Sequence, residues 1–172
     1  TDVHSGLGGS ILPNAAWRLV WALSTLKGPD ERIRIPGFYD NIIPPTERDR
    51  ELMEALPDVA DEYKKRYGVN HFLKGITGGV ELHLAEVFEP TCTICGLTSG
   101  YQGPGSKTVL PARASAKLDF RLVPNQTPAD ILEEFPAFAS DALKALWPQQ
   151  KVIINFAHNE YLQVLAETGA VG

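Results

Sequence analysis

Ala112-Arg113-Ala114-Ser115-Ala116-Lys117-Leu118-Asp119-Phe120-Arg121-Leu122-Val123 alternates between apolar and polar residues. Ala114, Ala116, Leu118, Phe120 and Leu122 fall on one side. Arg113, Ser115, Lys117, Asp119 and Arg121 fall on the other. A period of two over this length marks a strand with one face on a core and one in water. Such a strand needs antiparallel neighbours and a layer of helices over its apolar side. Thr91–Leu97 is the expected partner, and Lys151–Phe156 reads as a further strand.

Helix signals flank these strands. Ala16, Leu19, Val20, Leu23 and Leu26 recur at helical spacing, with Ser10 as a plausible N-cap and Pro13 in a first turn. The expected helix is Ile11–Leu26. Trp17 and Trp21 form a second apolar stripe on it, which asks for a second apolar neighbour and points to self-association. Arg32–Ile35 reads as a short strand. Thr127 as N-cap and Pro128 at the first helical position open a helix carrying Ile131, Leu132 and Phe135. Pro136 is expected to kink or divide it before 137–147, and Asn159–Glu167 reads as a short terminal helix.

Between about 36 and 90 the pattern is helical. Thr46 is followed three residues on by Asp49, Asp58 precedes a segment that Gly68 closes, and Gly79–Phe88 forms a third helix. Without this insertion the order is α-β-β-α-β, which equals β-α-β-β-α-β lacking its first strand. The expected class is α+β: one two-layer sandwich domain over 1–172, antiparallel sheet on one side and helices on the other. The chain opens on Thr1-Asp2-Val3-His4 without an initiator Met, as expected of a segment of something longer. The missing strand would then lie ahead of Thr1.

Composition narrows the chemistry. The 172 residues are 44% hydrophobic and 22% charged, ordinary values for a globular domain. Sixteen Lys and Arg against 21 Asp and Glu give a net charge of −5, and no basic block stands out. A nucleic-acid partner has no electrostatic support, and no apolar run is long enough to span a membrane. Two cysteines make no disulfide framework, so the expected setting is cytoplasmic. Cys92-Thr93-Ile94-Cys95 has redox spacing, but an odd offset on a strand sends the two thiols to opposite faces. Gly100–Thr108 is not a phosphate loop, because Ser106 breaks the Gly-Lys contact and a strand follows. His4, His71, His83 and His158 lie far apart, with no HExxH pattern, so no metal site is expected in this chain.

Four co-linear stretches carry a resemblance. They are Asp2-Val3-His4-Ser5-Gly6 with Gly8-Gly9, then Ile35-Pro36-Gly37-Phe38-Tyr39-Asp40. Next come Gly103-Pro104-Gly105-Ser106-Lys107-Thr108-Val109-Leu110-Pro111, and Asp119-Phe120-Arg121-Leu122-Val123-Pro124-Asn125. From Thr1 to about Glu134 the chain resembles the lid domain of dinuclear-zinc dipeptidases and deacylases. It is most like the carnosinase-like branch, and less like acetylornithine deacetylase and succinyl-diaminopimelate desuccinylase. The resemblance implies a ferredoxin-like lid inserted in a catalytic domain that carries two zinc ions. Two such lids pair into a homodimer, and the intact enzyme hydrolyses a small peptide or acyl-amide bond. It implies that His4 stabilises the oxyanion in the partner subunit's site, that Thr108 contacts substrate, and that Arg121 grips the substrate carboxylate. The lid alone would be inactive. Residues 135–172 follow the family least. A second expectation, from the residues alone, is a stand-alone interaction module in which Arg121 and the glycine loop hold a small anion.

Overall fold

In the computed structural model, residues 1–131, 133, 135, 138, 139 and 141 are described in full, and 152–157 and 161–167 as backbone. The elements are β1 (Val3–His4), α1 (Ser5–Gly8), α2 (Ala15–Leu26), α3 (Glu47–Glu54), α4 (Ala60–Tyr67), a 3₁₀ turn (Leu73–Gly75) and α5 (Gly79–Phe88). They continue with β2 (Thr91–Ser99), β3 (Val109–Leu110), β4 (Arg113–Arg121), β5 (Val152–Ala157) and β6 (Tyr161–Glu167). A further helix begins at Pro128. Its start is a reciprocal cap: Asp130 Oδ2 accepts from Thr127 N–H at 3.0 Å, and Thr127 Oγ1 accepts from Asp130 N–H at 3.3 Å. Pro136 and residues 142–150 lie outside the described residues.

The main sheet has the order β2-β4-β6-β5, antiparallel throughout. The alternating strand is therefore central, as its pattern requires. Ala114, Ala116, Leu118 and Phe120 are buried on one face, joined by Ala15, Leu19 and Leu26 of α2 and by the helical residues Ile131, Phe135 and Ala139. Phe120 sits between Phe38 and Phe135, with ring centroids 6.1 and 5.6 Å away. That is the two-layer α+β sandwich expected from the sequence, with helices on one face.

Several local expectations are corrected. α2 starts at Ala15 because Asn14, not Ser10, is the N-cap: its Oδ1 accepts from Trp17 N–H at 3.2 Å. Pro13 also disfavours helical geometry at Leu12. Val20 is exposed, and Ala22 and Leu23 complete the buried stripe in its place. Arg32–Ile35 makes a single bridge, Lys27 to Ile33, and no strand; Ile33 and Ile35 serve as core plugs. The segment expected as a terminal helix is strand β6. Its register places Leu162, Val164 and Ala166 opposite Leu118, Ala116 and Ala114, so pairing with β4 overrides a helix-favouring composition. β6 thereby holds the internal position that the sequence order assigns to a strand ahead of Thr1. Asp119, expected on the wet face, is buried.

The insertion follows its local signals. Thr46 and Asp49 form a full capping box on α3, and Gly68 closes α4 at φ 67°. Backbone N–H groups of Gly79 and Ala60 bond the Asp58 carboxyl and hold it below the usual carboxylate range. One side chain thus ties the starts of α4 and α5 together. No described helix is long and apolar enough to cross a membrane.

Candidate functional site

Residues 2–5 are pinned to the segment before β4. Val3 pairs with Leu110 and His4 with Val109, while Ser5 N–H donates to the Thr108 carbonyl at 3.1 Å. Asp2 Oδ1 accepts from Ala112 N–H at 2.9 Å. These contacts fix where the His4 side chain starts, and two further bonds fix its ring. Nδ1 accepts from Gly6 N–H at 3.1 Å, and Nε2 lies 2.8 Å from Thr108 Oγ1. An Nδ1 that accepts carries no proton, so the neutral ring bears its proton on Nε2 and directs it toward Thr108. A Cβ at Gly6 would stand 3.2 Å from both Cε1 and Nδ1 of the ring, so glycine allows the close approach.

The loop from Gly100 to Lys107 delivers Thr108 to this point. Tyr101 Oη donates to the Pro104 carbonyl at 3.0 Å, and Lys107 Nζ lies 5.9 Å from the Tyr101 ring centroid. Gly103 passes so close that an added Cβ would fall 2.4 Å from Tyr101 Oη. Gly100 and Gly105 turn the chain at φ 63° and 79°. The loop is thus wrapped on a tyrosine, which explains its glycines without a phosphate.

His4 and Thr108 are both exposed. With the Nε2 proton directed at Thr108 Oγ1, a developing oxyanion would share that proton or take the Thr108 O–H, and an exposed donor works against water. It gains strength only when another surface covers it.

Arg121 lies elsewhere. It ends β4, opposite Thr91 on β2, and its Nε donates to Asp119 Oδ2 at 3.0 Å. The His4–Thr108 pair lies on the segment that leads into the other end, with Thr108 five residues ahead of Arg113 in the chain. Strand β4 has nine residues and spans about 26 Å from Arg113 to Arg121 at ordinary strand rise, and the His4–Thr108 pair belongs to the segment ahead of it. The structure therefore joins two of the expected site residues and separates the third. Asp119 was missed by sequence reasoning. Its signal was an acidic residue two positions before an arginine on a strand, a spacing that puts both on one face.

Other candidates stay apart from this site. Cys92 is buried and Cys95 exposed, both free, as the odd offset requires. Burial pushes the Cys92 thiol up to about 12. His83 is buried against the Pro57 carbonyl, 3.1 Å from Nε2. Among the described residues no group of three or more His, Cys, Asp or Glu could hold a metal ion. Trp17 and Trp21 stack with centroids 5.8 Å apart and are 57% and 41% exposed. Leu7 of α1, Ile11 between the helices and Val20 of α2 are also exposed apolar residues.

Comparison with known proteins adds four findings. A family profile for a peptidase dimerisation domain matches residues 1–146. The chain is 35% identical over 128 residues to rat Beta-Ala-His dipeptidase, covering 74% of this chain and 26% of that protein. It superposes on human carnosine dipeptidase 1 with a TM-score of 0.83 at 27% identity, covering 97% of this chain and 35% of the other. An M20 family metallo-carboxypeptidase, Sso-CP2 from Sulfolobus solfataricus, gives 0.75 at 37% identity, covering 82% and 36%. The chain thus spans about a quarter to a third of the length of these three relatives.

Proposed function

The chain belongs to the peptidase dimerisation domain family, and on that premise we propose that it is the lid of a zinc-dependent, dipeptidase-like hydrolase. The lid pairs two subunits into a homodimer, with the exposed apolar residues of α1 and α2 available for association. Small peptides are the substrate class, in keeping with the dipeptidase and carboxypeptidase names of the relatives. Two free cysteines suit a reducing, cytoplasmic setting. The described residues do not fit a metal pair, so the zinc ions would belong to the catalytic part of the whole protein. No step here is routed through them.

The observation that carries the reading is the bond between His4 Nε2 and Thr108 Oγ1 at 2.8 Å, made by residues 104 positions apart in sequence. It presents an oriented donor on an exposed edge, as a group that completes another subunit's site must be. Arg121 holds the terminal carboxylate of the substrate through a forked, charge-assisted contact. A dipeptide is far shorter than the roughly 26 Å span of β4, which has Arg121 at one end and the His4–Thr108 segment ahead of the other. One lid therefore cannot place both on one substrate. His4 and Thr108 serve the partner's site, and Arg121 serves its own.

The test is His4→Ala in the whole protein that carries this domain. The expected result is a kcat lower by about 10²–10³ with bound metal unchanged. An equal loss of metal would show a structural role and refute the reading. The isolated chain supplied with zinc should not hydrolyse dipeptides, and zinc-dependent turnover that copurifies with it would also contradict the account.

A further inference from the structure

Asp119 breaks the pattern of its own strand. On that face of β4, Arg113, Lys117 and Arg121 are exposed, while Asp119 is only 6% exposed. Burial of a carboxylate is costly unless its oxygens are all bonded. Here Oδ2 accepts from Arg121 Nε, and Oδ1 is buried with no hydrogen-bond partner among the described residues. A half-satisfied buried acid is a poor way to stabilise a sheet, since an apolar residue of similar size would serve as well or better. Its presence asks for a reason outside stability, and the side chain it touches supplies one.

Arg121 is long and its side chain is 63% exposed. Unanchored, such a side chain samples many rotamers and loses that freedom each time it takes up a ligand. A bond through Nε holds the guanidinium from its inner edge and fixes its plane. The Nη1–Nη2 edge is the fork that meets a planar carboxylate end-on. We propose that Asp119 is a positioning residue for Arg121, fixing the guanidinium to receive the terminal carboxylate of a small peptide. The inference rests on the reading of Arg121 as the carboxylate-holding residue. Because Asp119 also offsets part of the positive charge, its contribution is orientation and selectivity, not added attraction.

The test uses the whole protein, a dipeptide with a free carboxylate, and the matching C-terminal amide. Asp119→Ala should raise KM for the free acid about tenfold, leave kcat within about twofold, and leave KM for the amide unchanged. Asp119→Asn keeps an acceptor for Nε–H and should recover most of that loss, whereas a charge-only role predicts no recovery. Thermal unfolding of Asp119→Ala should match the parent or exceed it. Arg121→Ala should abolish the preference for the free acid. If Arg121→Ala does so and Asp119→Ala leaves KM unchanged, the positioning role is overturned and the Arg121 reading stands. Should Arg121→Ala leave the preference intact, both are overturned. A lowered unfolding temperature with a falling kcat in Asp119→Ala would mark a structural residue and also overturn the proposal.

Discussion

Replacing Thr108 by Val probes the pair at the heart of the proposed site. Val matches Thr in shape, so β3 and the bond from Ser5 N–H to the residue 108 carbonyl should persist. What disappears is one of two anchors on the His4 ring, the 2.8 Å contact at Nε2, leaving the 3.1 Å bond from Gly6 N–H. A neutral hydrogen bond contributes about 1 kcal/mol net. Loss of that amount lowers the correctly poised ring population about fivefold, since about 1.4 kcal/mol is a factor of ten. Steady-state kinetics on the whole protein should show kcat for Thr108→Val down about fivefold, against about 10²–10³ for His4→Ala, which removes the donor itself. Thr108→Ser should regain most of the loss. Nitrogen NMR of the isolated chain should find Nδ1 unprotonated and Nε2 protonated. A Thr108→Val loss as large as that of His4→Ala would mean that the hydroxyl is the essential donor. No loss at all would mean the pairing is incidental, and either result refutes the reasoning.

Two further outcomes test the frame around the site. Leu118, 0% exposed at the centre of β4, should cost about 2–5 kcal/mol when replaced by Ala, read by chemical denaturation. A cost below about 1 kcal/mol would contradict its place in the core. Native chain at pH 8 should take up thiol reagent at Cys95 alone and at both cysteines once unfolded, because burial keeps the Cys92 thiol protonated. Its raised pKa means that the stability from burying a neutral thiol is fully present below the ordinary thiol range. It is lost as pH climbs toward about 12.

Much of this fold was legible because its signals are local. β4 announces itself by strict alternation, and α3, α4 and α5 by Thr46 with Asp49, by Gly68 and by Gly79–Phe88. Misreadings arose where two local rules competed or where a distant partner decided. Ser10 and Asn14 both cap helices, and Pro13 fits either start. Leu162-Gln163-Val164-Leu165-Ala166 mixes helix formers with a weak alternation, and only β4 settles the choice. Spacing could not bring His4 to Thr108, since pairing across 104 residues is a tertiary fact. Family resemblance named both residues, and the geometry then joined them. Burial of Asp119 had no sequence signal, since alternation places an acid there in water.

In the proposed dimer each active site takes His4 from one subunit and Arg121 from the other. Mixing the His4→Ala and Arg121→Ala forms of the whole protein, with subunit exchange, tests it most directly. In a mixed dimer one site would receive both intact residues and its twin would receive both lesions. Random exchange should then restore about a quarter of parental activity, from mixed dimers that are half the population with one working site of two. If both residues served the same lid's site, or both served the partner's, every mixed site would carry one lesion. Activity would then stay at the level of the separate variants, and the account would be contradicted.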